Sequence, residues 1–472
     1  MATSPTPNLG LTHGWQQGEA SWGDAMNTNL DLIDAAAFAS EQTLVVNVKA
    51  SGALGDGATD DTAAIVAAMA LVPANGILYF PAGTYRAYVQ VWRSNITLLG
   101  AGSSATTIKL PDNQLITVNT TVSVETGAPS VIDVGKIWDY GFTLTVDKVS
   151  IIGMTIDGNK ANNAPSATPL DTDLWGWGLT FTQATNHVFS DVVVQNCSAG
   201  GVGVLINSNY GRGNCRVVSC GTHNYTAAGY IAGFDINSSS YGTYDVTSKA
   251  CGAGARLIDN SYGNYLKAII QGATENGFIY QAEEVNHAEN NEMHIIINGD
   301  CSAGGAVQVG RNTSNSLLCA TIQDALFHGF HEVQYADAYL SRNNIYNVTT
   351  SGCHGSSCII GGKNSIWNIT SRGDGLHATQ GFYHAVAVQG KYNILNVSIT
   401  EGATWQVRGI EFERGATGNI LAAYSAPGIV TNYTDLGDGN TPYPASDANV
   451  SHNDEAVMLG DAVVTYTGTF IG

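Results

Sequence analysis

Ala306-Val-Gln-Val-Gly310 and, seven residues on, Leu317-Leu-Cys-Ala-Thr-Ile322 are two short runs in which aliphatic residues alternate with small or polar ones. Alternation with a period of two places every second side chain on one face of a strand, so each run has one face suited to a dry core. The same pair of runs recurs as Gly203-Val-Leu-Ile-Asn207 with Cys215-Arg-Val-Val-Ser219, and as Ala385-Val-Ala-Val-Gln389 with Tyr392-Asn-Ile-Leu-Asn-Val-Ser-Ile399. The chain repeats a strand, a corner and a strand.

Working outward from these runs, an Asn or Gly precedes an apolar strand at Asn186, Asn214, Gly242, Asn264, Asn291, Asn315, Asn343, Asn364, Asn393 and Asn419. The successive separations are 28, 28, 22, 27, 24, 28, 21, 29 and 26 residues, the length of one coil in a stacked solenoid. The expected fold class is therefore all-β, a parallel β-helix. Rungs about 4.8 Å apart would make a dozen coils into a rod roughly 60 Å long. An Asn amide both donates and accepts, so Asn at one corner of each coil is expected to satisfy turn backbone and carry no chemistry.

Composition agrees. Only 12% of the 472 residues are charged while 44% are hydrophobic, and 55 glycines suit many corners, which argues for an ordered strand-rich body. Nineteen basic residues against 39 acidic ones give a net charge of −20. That balance opposes nucleic acid and anionic membrane, so neither partner is expected. No apolar run is long enough to span a bilayer, and Met1 to Gly14 shows no secretory pattern. The eight cysteines lack zinc-type spacing and read as reduced core residues. Among the histidines, His287, His328, His331, His354, His377 and His384 show no H-E-x-x-H spacing, and no metal or cofactor is expected.

Toward the N-terminus, Gly55-Asp56-Gly57-Ala-Thr-Asp60-Asp61-Thr62 precedes an Ala-rich run, the mark of a helix start with acids at its positive end. Gly76-Ile-Leu-Tyr-Phe-Pro81-Ala-Gly83-Thr-Tyr85 and Val149-Ser-Ile-Ile-Gly-Met-Thr-Ile-Asp157-Gly158-Asn159 then read as strands closed by Pro and Gly corners. This combination resembles the opening of the pectate-lyase-like right-handed β-helix superfamily, in which a G-D-G-x-x-D-D-T stretch, a helix and a P-A-G-T-Y strand cap the first coil. Residues 1–41, with Gly14-Trp15, Gly18-Glu19, Trp22-Gly23 and Met26-Asn-Thr-Asn-Leu30, are similar to the particle-anchoring module of phage tail fibres and tailspikes. Met26, Leu30, Ile33 and Ala37 follow a/d spacing, which fits either a three-chain neck or one amphipathic helix.

Three regions follow: an anchoring segment 1–41, a β-helix body 42–421 with its capping helix and first coils in 42–110, and a C-terminal cap 422–472. The resemblance implies a virion protein, a homotrimeric tailspike joined to the phage tail or baseplate through residues 1–41. It would be made in the host cytoplasm and act at the bacterial surface, binding and depolymerising capsule, exopolysaccharide or O-antigen.

Polysaccharide hydrolysis commonly needs two carboxylates, one acting as acid. Aligning first strands puts Asp235, Asp259 and Glu283 with Glu284 nearly in one column, and these are the candidate catalytic residues. Like charges on neighbouring rungs would raise one pKa. Tyr241, Tyr262, Tyr280 and the pair Trp175 and Trp177 are candidate sugar contacts. Arg256, near Asp259, keeps a lyase acting on uronic acids open. A second group, Glu332 with Glu411 and Glu413, is expected to face outward if Val333, Ile410 and Phe412 point inward. A receptor-binding fibre without catalysis is the alternative of a different class.

Overall fold

The computed structural model describes, with side chains, residues 44–112, 130–135, 145–163, 176–221, 232–283, 285–299, 301, 305–334, 340–374, 385–400, 409–413 and 415–422; some further strands are described by backbone alone. The expected helical seam from Met26 to Ala37, and most of the tail beyond 422, lie outside these residues.

The first coil is set by its acidic turn. Asp61 stands just before the helix Thr62–Leu71, but its carboxylate turns back to accept from the backbone N–H groups of Leu54 at 2.7 Å and Gly55 at 3.1 Å. Asp60 accepts from Thr62 N at 3.0 Å instead and covers the helix start. Gly55 adopts φ +64, and a Cβ there would lie 2.8 Å from the Tyr85 ring. A side chain at 55 would therefore collide with the strand Gly83–Arg86.

Beyond this cap two long parallel sheets face each other. The front sheet has 13 strands, running from Val89–Val91 through Ala232–Asn237, Ala253–Ile258 and Phe278–Gln281 to Thr431–Asp435. It thus extends past residue 421 by one strand. The back sheet forms where two narrow sheets merge. Val149–Asp157 turns at Gly153, φ +67; its first half pairs with Ile96–Gly100 and its second half with Thr106–Lys109. After that fusion each coil adds one front and one back strand, every pairing parallel. Among the described residues, antiparallel pairs occur only as short two-stranded pieces outside the two long sheets. The expected stack of parallel coils is present.

Alternation decides what lies between the sheets. In the front strands Phe234, Ile236, Leu257, Phe278 and Tyr280 point inward and are fully buried, as are Val246, Leu266 and Ile295 from the back. Seven of the eight cysteines are buried, and none of the eight is joined in a disulfide. Burial pushes thiols such as Cys358 upward, which makes them packing residues.

The corner from front to back carries a continuous ladder. The side chains of Asn264, Asn291, Ser316, Asn344, Ser365, Asn393 and Asn419 each accept from the backbone N–H one rung earlier, at 2.9 to 3.2 Å. The amides of Asn264, Asn291 and Asn419 also donate to backbone carbonyls. At three coils the ladder residue is one position later than expected: Asn315, Asn343 and Asn364 have φ of +53 to +55 and make the left-handed bend itself, a conformation Asn tolerates well.

Candidate functional site

The outward positions of the front sheet form one registered column. From Asp133 it passes through Thr180, Gly203, Asp235, Arg256, Ile279 and Gln308 to His331. Because strands alternate, these side chains stand on the face away from the core, one rung apart.

Asp235 and Arg256 are the charged centre of this column. Arg256 donates from Nε to Asp235 Oδ1 at 3.0 Å and from Nη2 to Oδ2 at 2.5 Å, with side-chain exposures of 13% and 1%. Burial opposes the guanidinium charge, yet the carboxylates of Asp235 and Asp259 outweigh it and hold Arg256 above its ordinary value. Two ions withdrawn from water persist only when geometry is this favourable.

Asp259 does not share the column with Asp235. Asn237 pairs with Ile258, so Asp259 lies three residues further on, roughly 10 Å along the strand direction. It bends the corner with φ +57, and its Oδ1 accepts from Glu283 N at 3.1 Å and Asn286 Nδ2 at 3.4 Å. Glu283 is exposed in that turn and Glu284 lies outside the described residues. The expected stack of three acids is therefore a buried ion pair with an acidic turn beside it, because the coil from Asp235 to Arg256 is 21 residues long and that to Asp259 is 24.

Two expected sugar contacts are core residues. Trp177 is 1% exposed, with its ring against Gly200, and Trp175 lies outside the described residues. Tyr280 is fully buried, shares a 2.6 Å hydrogen bond with Ser316 Oγ and donates to Ala288 O at 2.8 Å. Tyr241 and Tyr262 do stand outside, at 49% and 37% exposure, and Tyr210 joins them at 54%. Tyr210 stacks on Tyr241 with centroids 5.1 Å apart and planes 7° from parallel; Tyr241 meets Tyr262 edge-on at 5.4 Å. One exposed tyrosine ladder spans three coils at the corner next to the Asp235 strand. Tyr210 was hidden in sequence because it belongs to a different coil and no strand pattern surrounds it.

Glu332 is not an outward acid. It follows Phe330 by two residues and points the same way, into the core, where it is fully buried. Ser341 and Tyr346 donate to Oε1, the latter at 2.8 Å, and Gly362 N donates to Oε2 at 2.7 Å. Glu411 lies in the outward column, beyond Ala387, so the two do not meet. Glu413 accepts from Gln389 Nε2 at 3.0 Å.

Glu275 escaped the sequence reading, standing in a corner with no periodic signal. Burial raises its pKa, and its Oε2 is enclosed with no hydrogen-bond partner among the described residues. His328 is pulled down to about 4, and His331 is lowered too, chiefly by burial; both are neutral imidazoles near pH 7. Among the described residues no group of three His, Cys, Asp or Glu side chains is arranged to hold a metal ion.

Residues 45–279 match the family described as rhamnogalacturonase A/epimerase, pectate lyase-like. The mannuronan C5-epimerase AlgE5 of Azotobacter vinelandii is 26% identical over 380 residues, covering 70% of this chain and 34% of that protein. The chain spans about a third or less of the length of the first curated relatives it matches. Among solved structures, the A-module of AlgE6 from A. vinelandii superposes with a TM-score of 0.52 at 18% identity, covering 84% of this chain and 99% of that one. The N-terminal fragment of gene product 12 from bacteriophage phi29 gives 0.63 at 15% identity, covering 95% and 76%.

Proposed function

Since the chain belongs to the pectate-lyase-like right-handed β-helix family, we propose that it acts on a uronate-containing bacterial surface polysaccharide at the outward column of the front sheet. Its setting is a homotrimeric phage tailspike held to the virion through residues 1–41. The likeness to a phage protein over 95% of the chain and the anchor-like first residues support that setting.

The carrying observation is the bidentate pair of Asp235 and Arg256 on adjacent rungs of the outer face. A uronate becomes a carbon acid at C5 only when its own carboxylate is neutralised, and a guanidinium in a water-poor site does this strongly. Transfer of the C5 proton to a carboxylate at the approach, Glu283 in this reading, leads either to β-elimination, in which the C4–O bond breaks and the leaving oxygen takes up a proton, or to return of a proton on the other face, which inverts C5. The C5-epimerase named among the relatives fits this chemistry. In this reading Arg256 binds the uronate carboxylate, Asp235 positions Arg256, and Asp259 and Glu283 line the approach. Tyr210, Tyr241 and Tyr262 stack on sugars further along.

Glycoside hydrolysis is the second reading, favoured by Glu275, because burial moves its carboxyl pKa upward, the direction a general acid needs. One assay separates them. Purified full-length protein is incubated with polyuronates and with capsule or lipopolysaccharide from a sensitive host in heavy water. An unsaturated uronate or deuterium at C5 supports proton abstraction; new reducing ends without either support hydrolysis. Bound but unaltered polymer would leave a receptor-binding fibre.

A further inference from the structure

The corner that leads from the front sheet to the back carries a second column in register. Parallel bridges run along it from Tyr262 through Glu289 and Ser314 to Arg342, Lys363 and Lys391, one residue per coil. Its far end is basic on three consecutive rungs. At about 4.8 Å per rung, Arg342 and Lys391 are roughly 10 Å apart with Lys363 between them. Arg342 is exposed and the two lysines are half-buried. Like charges directly opposite each other on neighbouring strands are destabilising, and Ser240 and Thr417 fill the same position in other coils. The corner itself therefore does not require a cation. Glu289, the acid of this column, is two rungs from Arg342 and accepts from Ser314 Oγ at 3.2 Å. In a chain with 19 basic residues against 39 acidic ones, three stacked cations are a departure that packing leaves unexplained.

The residue after the column makes the bend, and at two coils it is an aromatic platform. Tyr241 bends at φ +59 and Tyr392 at φ +57, and each ring lies over the glycine of the next coil. A Cβ at Gly263 would sit 3.0 Å from the Tyr241 ring, and one at Gly418 2.6 Å from the Tyr392 ring. Both rings are about half exposed, at 49% and 55%. The same device is built twice on one corner, beside Tyr262 and beside Lys391, and six rungs separate the two, roughly 29 Å. Rings at each end and cations toward one end describe a line rather than a pocket.

We propose that Arg342, Lys363 and Lys391, with Tyr392, form a second binding site, a track that holds the anionic stretch of an extended polymer beyond the reacting sugar. This rests on the reading of the substrate as a uronate-bearing polysaccharide and adds residues that reading leaves out. A polymer with one carboxylate per sugar presents its charges at intervals close to one rung, so successive carboxylates meet successive cations in charge-assisted hydrogen bonds. A surface of net charge −20 repels such a polymer in general. Three cations spaced within a Debye length of one another, about 8 Å at physiological salt, make this corner a local exception. The Tyr392 ring then takes the apolar face of a sugar at the end of the track.

Full-length protein is titrated with long-chain polymannuronate and polygalacturonate, and affinity is read by native affinity electrophoresis. The triple change Arg342→Gln, Lys363→Gln and Lys391→Gln should weaken binding about 10-fold. A control that removes the same charge elsewhere, Lys49→Gln with Lys148→Gln and Lys249→Gln, should bind as the parent does. Arg342→Gln alone, at an exposed position, should weaken binding about 3-fold and keeps the test open if the triple variant folds poorly. The gap between parent and variant should close near about 1 M salt, where the Debye length is about 3 Å. Track-dependent binding without C5 deuterium or an unsaturated product supports the track and sinks the chemistry assigned to Arg256. Equal binding by parent and triple variant overturns the track and leaves that chemistry standing. The track is also overturned if the parent binds neither polyuronate, or binds neutral dextran or polyuridylate as tightly.

Discussion

Arg256 grips both carboxylate oxygens of Asp235 from the neighbouring rung, at 3.0 and 2.5 Å, with the pair nearly closed to water. The geometry makes the two side chains one unit, and its members do not respond alike to removal.

Arg256→Met strands a buried carboxylate, and a loss of about 3–5 kcal/mol is expected in denaturant unfolding. The double change Asp235→Leu with Arg256→Met should recover most of it while polysaccharide turnover stays abolished. Equal instability of the single and double variants would show that the pair is not the coupled unit described.

Tyr241→Ala should weaken polysaccharide binding about 2- to 10-fold, since a stacking contact contributes roughly 0.5–1.5 kcal/mol, with a melting temperature close to that of the parent. Tyr280→Ala should do the reverse, destabilising the core by about 3–5 kcal/mol. Affinity measured beside thermal unfolding separates the two tyrosines.

Asn291→Ala removes an acceptor for Asn264 N and a donor to Ser261 O, and about 1–3 kcal/mol should be lost per buried group left unpaired. Asn315→Gly, at a bend with φ +53, should be nearly neutral because glycine enters that region freely. Similar costs at both positions would erase the distinction between ladder and bend.

Burial raises the Glu332 carboxyl above 4.5 despite donors from Ser341, Tyr346 and Gly362. A raised folded pKa means the folded state favours the protonated form. Its stability contribution is complete below about 4.5 and declines as pH climbs through the folded value. The stability advantage of the parent over Glu332→Gln should therefore shrink as pH rises from about 4.5, followed by unfolding in urea at successive pH values. An advantage that grows instead would show that the donors outweigh burial.

The coil itself was legible from sequence because corners need special residues and strands need alternation, as at Gly242, Asn264 and Asn291. What failed was register. Asp235 and Asp259 are 24 residues apart, close to the mean period, but this coil closes after 21 residues and brings Arg256 alongside instead. Counting from corners gives no warning when loop length varies. Inward and outward assignments failed at Glu332 for a related reason: Phe330 fixed the phase of the strand, whereas Val333 had suggested the opposite. Trp177 and Tyr280 look like sugar platforms in sequence because aromatic type says nothing about which side of a strand is wet. Asp235, Arg256, Tyr241 and Tyr262 were singled out in sequence by residue type, with Arg256 set beside Asp259; the structure pairs Arg256 with Asp235 and Tyr241 with Tyr262, and Tyr210 needed the stacked geometry to be seen.

The side-chain ladder from Asn264 to Asn419 runs in a single sense, every acceptor taking its hydrogen from the coil before it. Like the ladder, the bonds between strands lie along the rod, while the covalent backbone runs across it. Tension along the rod must stretch a full row of these links at one time, whereas a sideways pull at the rim peels them in sequence. The described coils should accordingly resist a lengthwise pull better than a sideways one, which loads their links one after another.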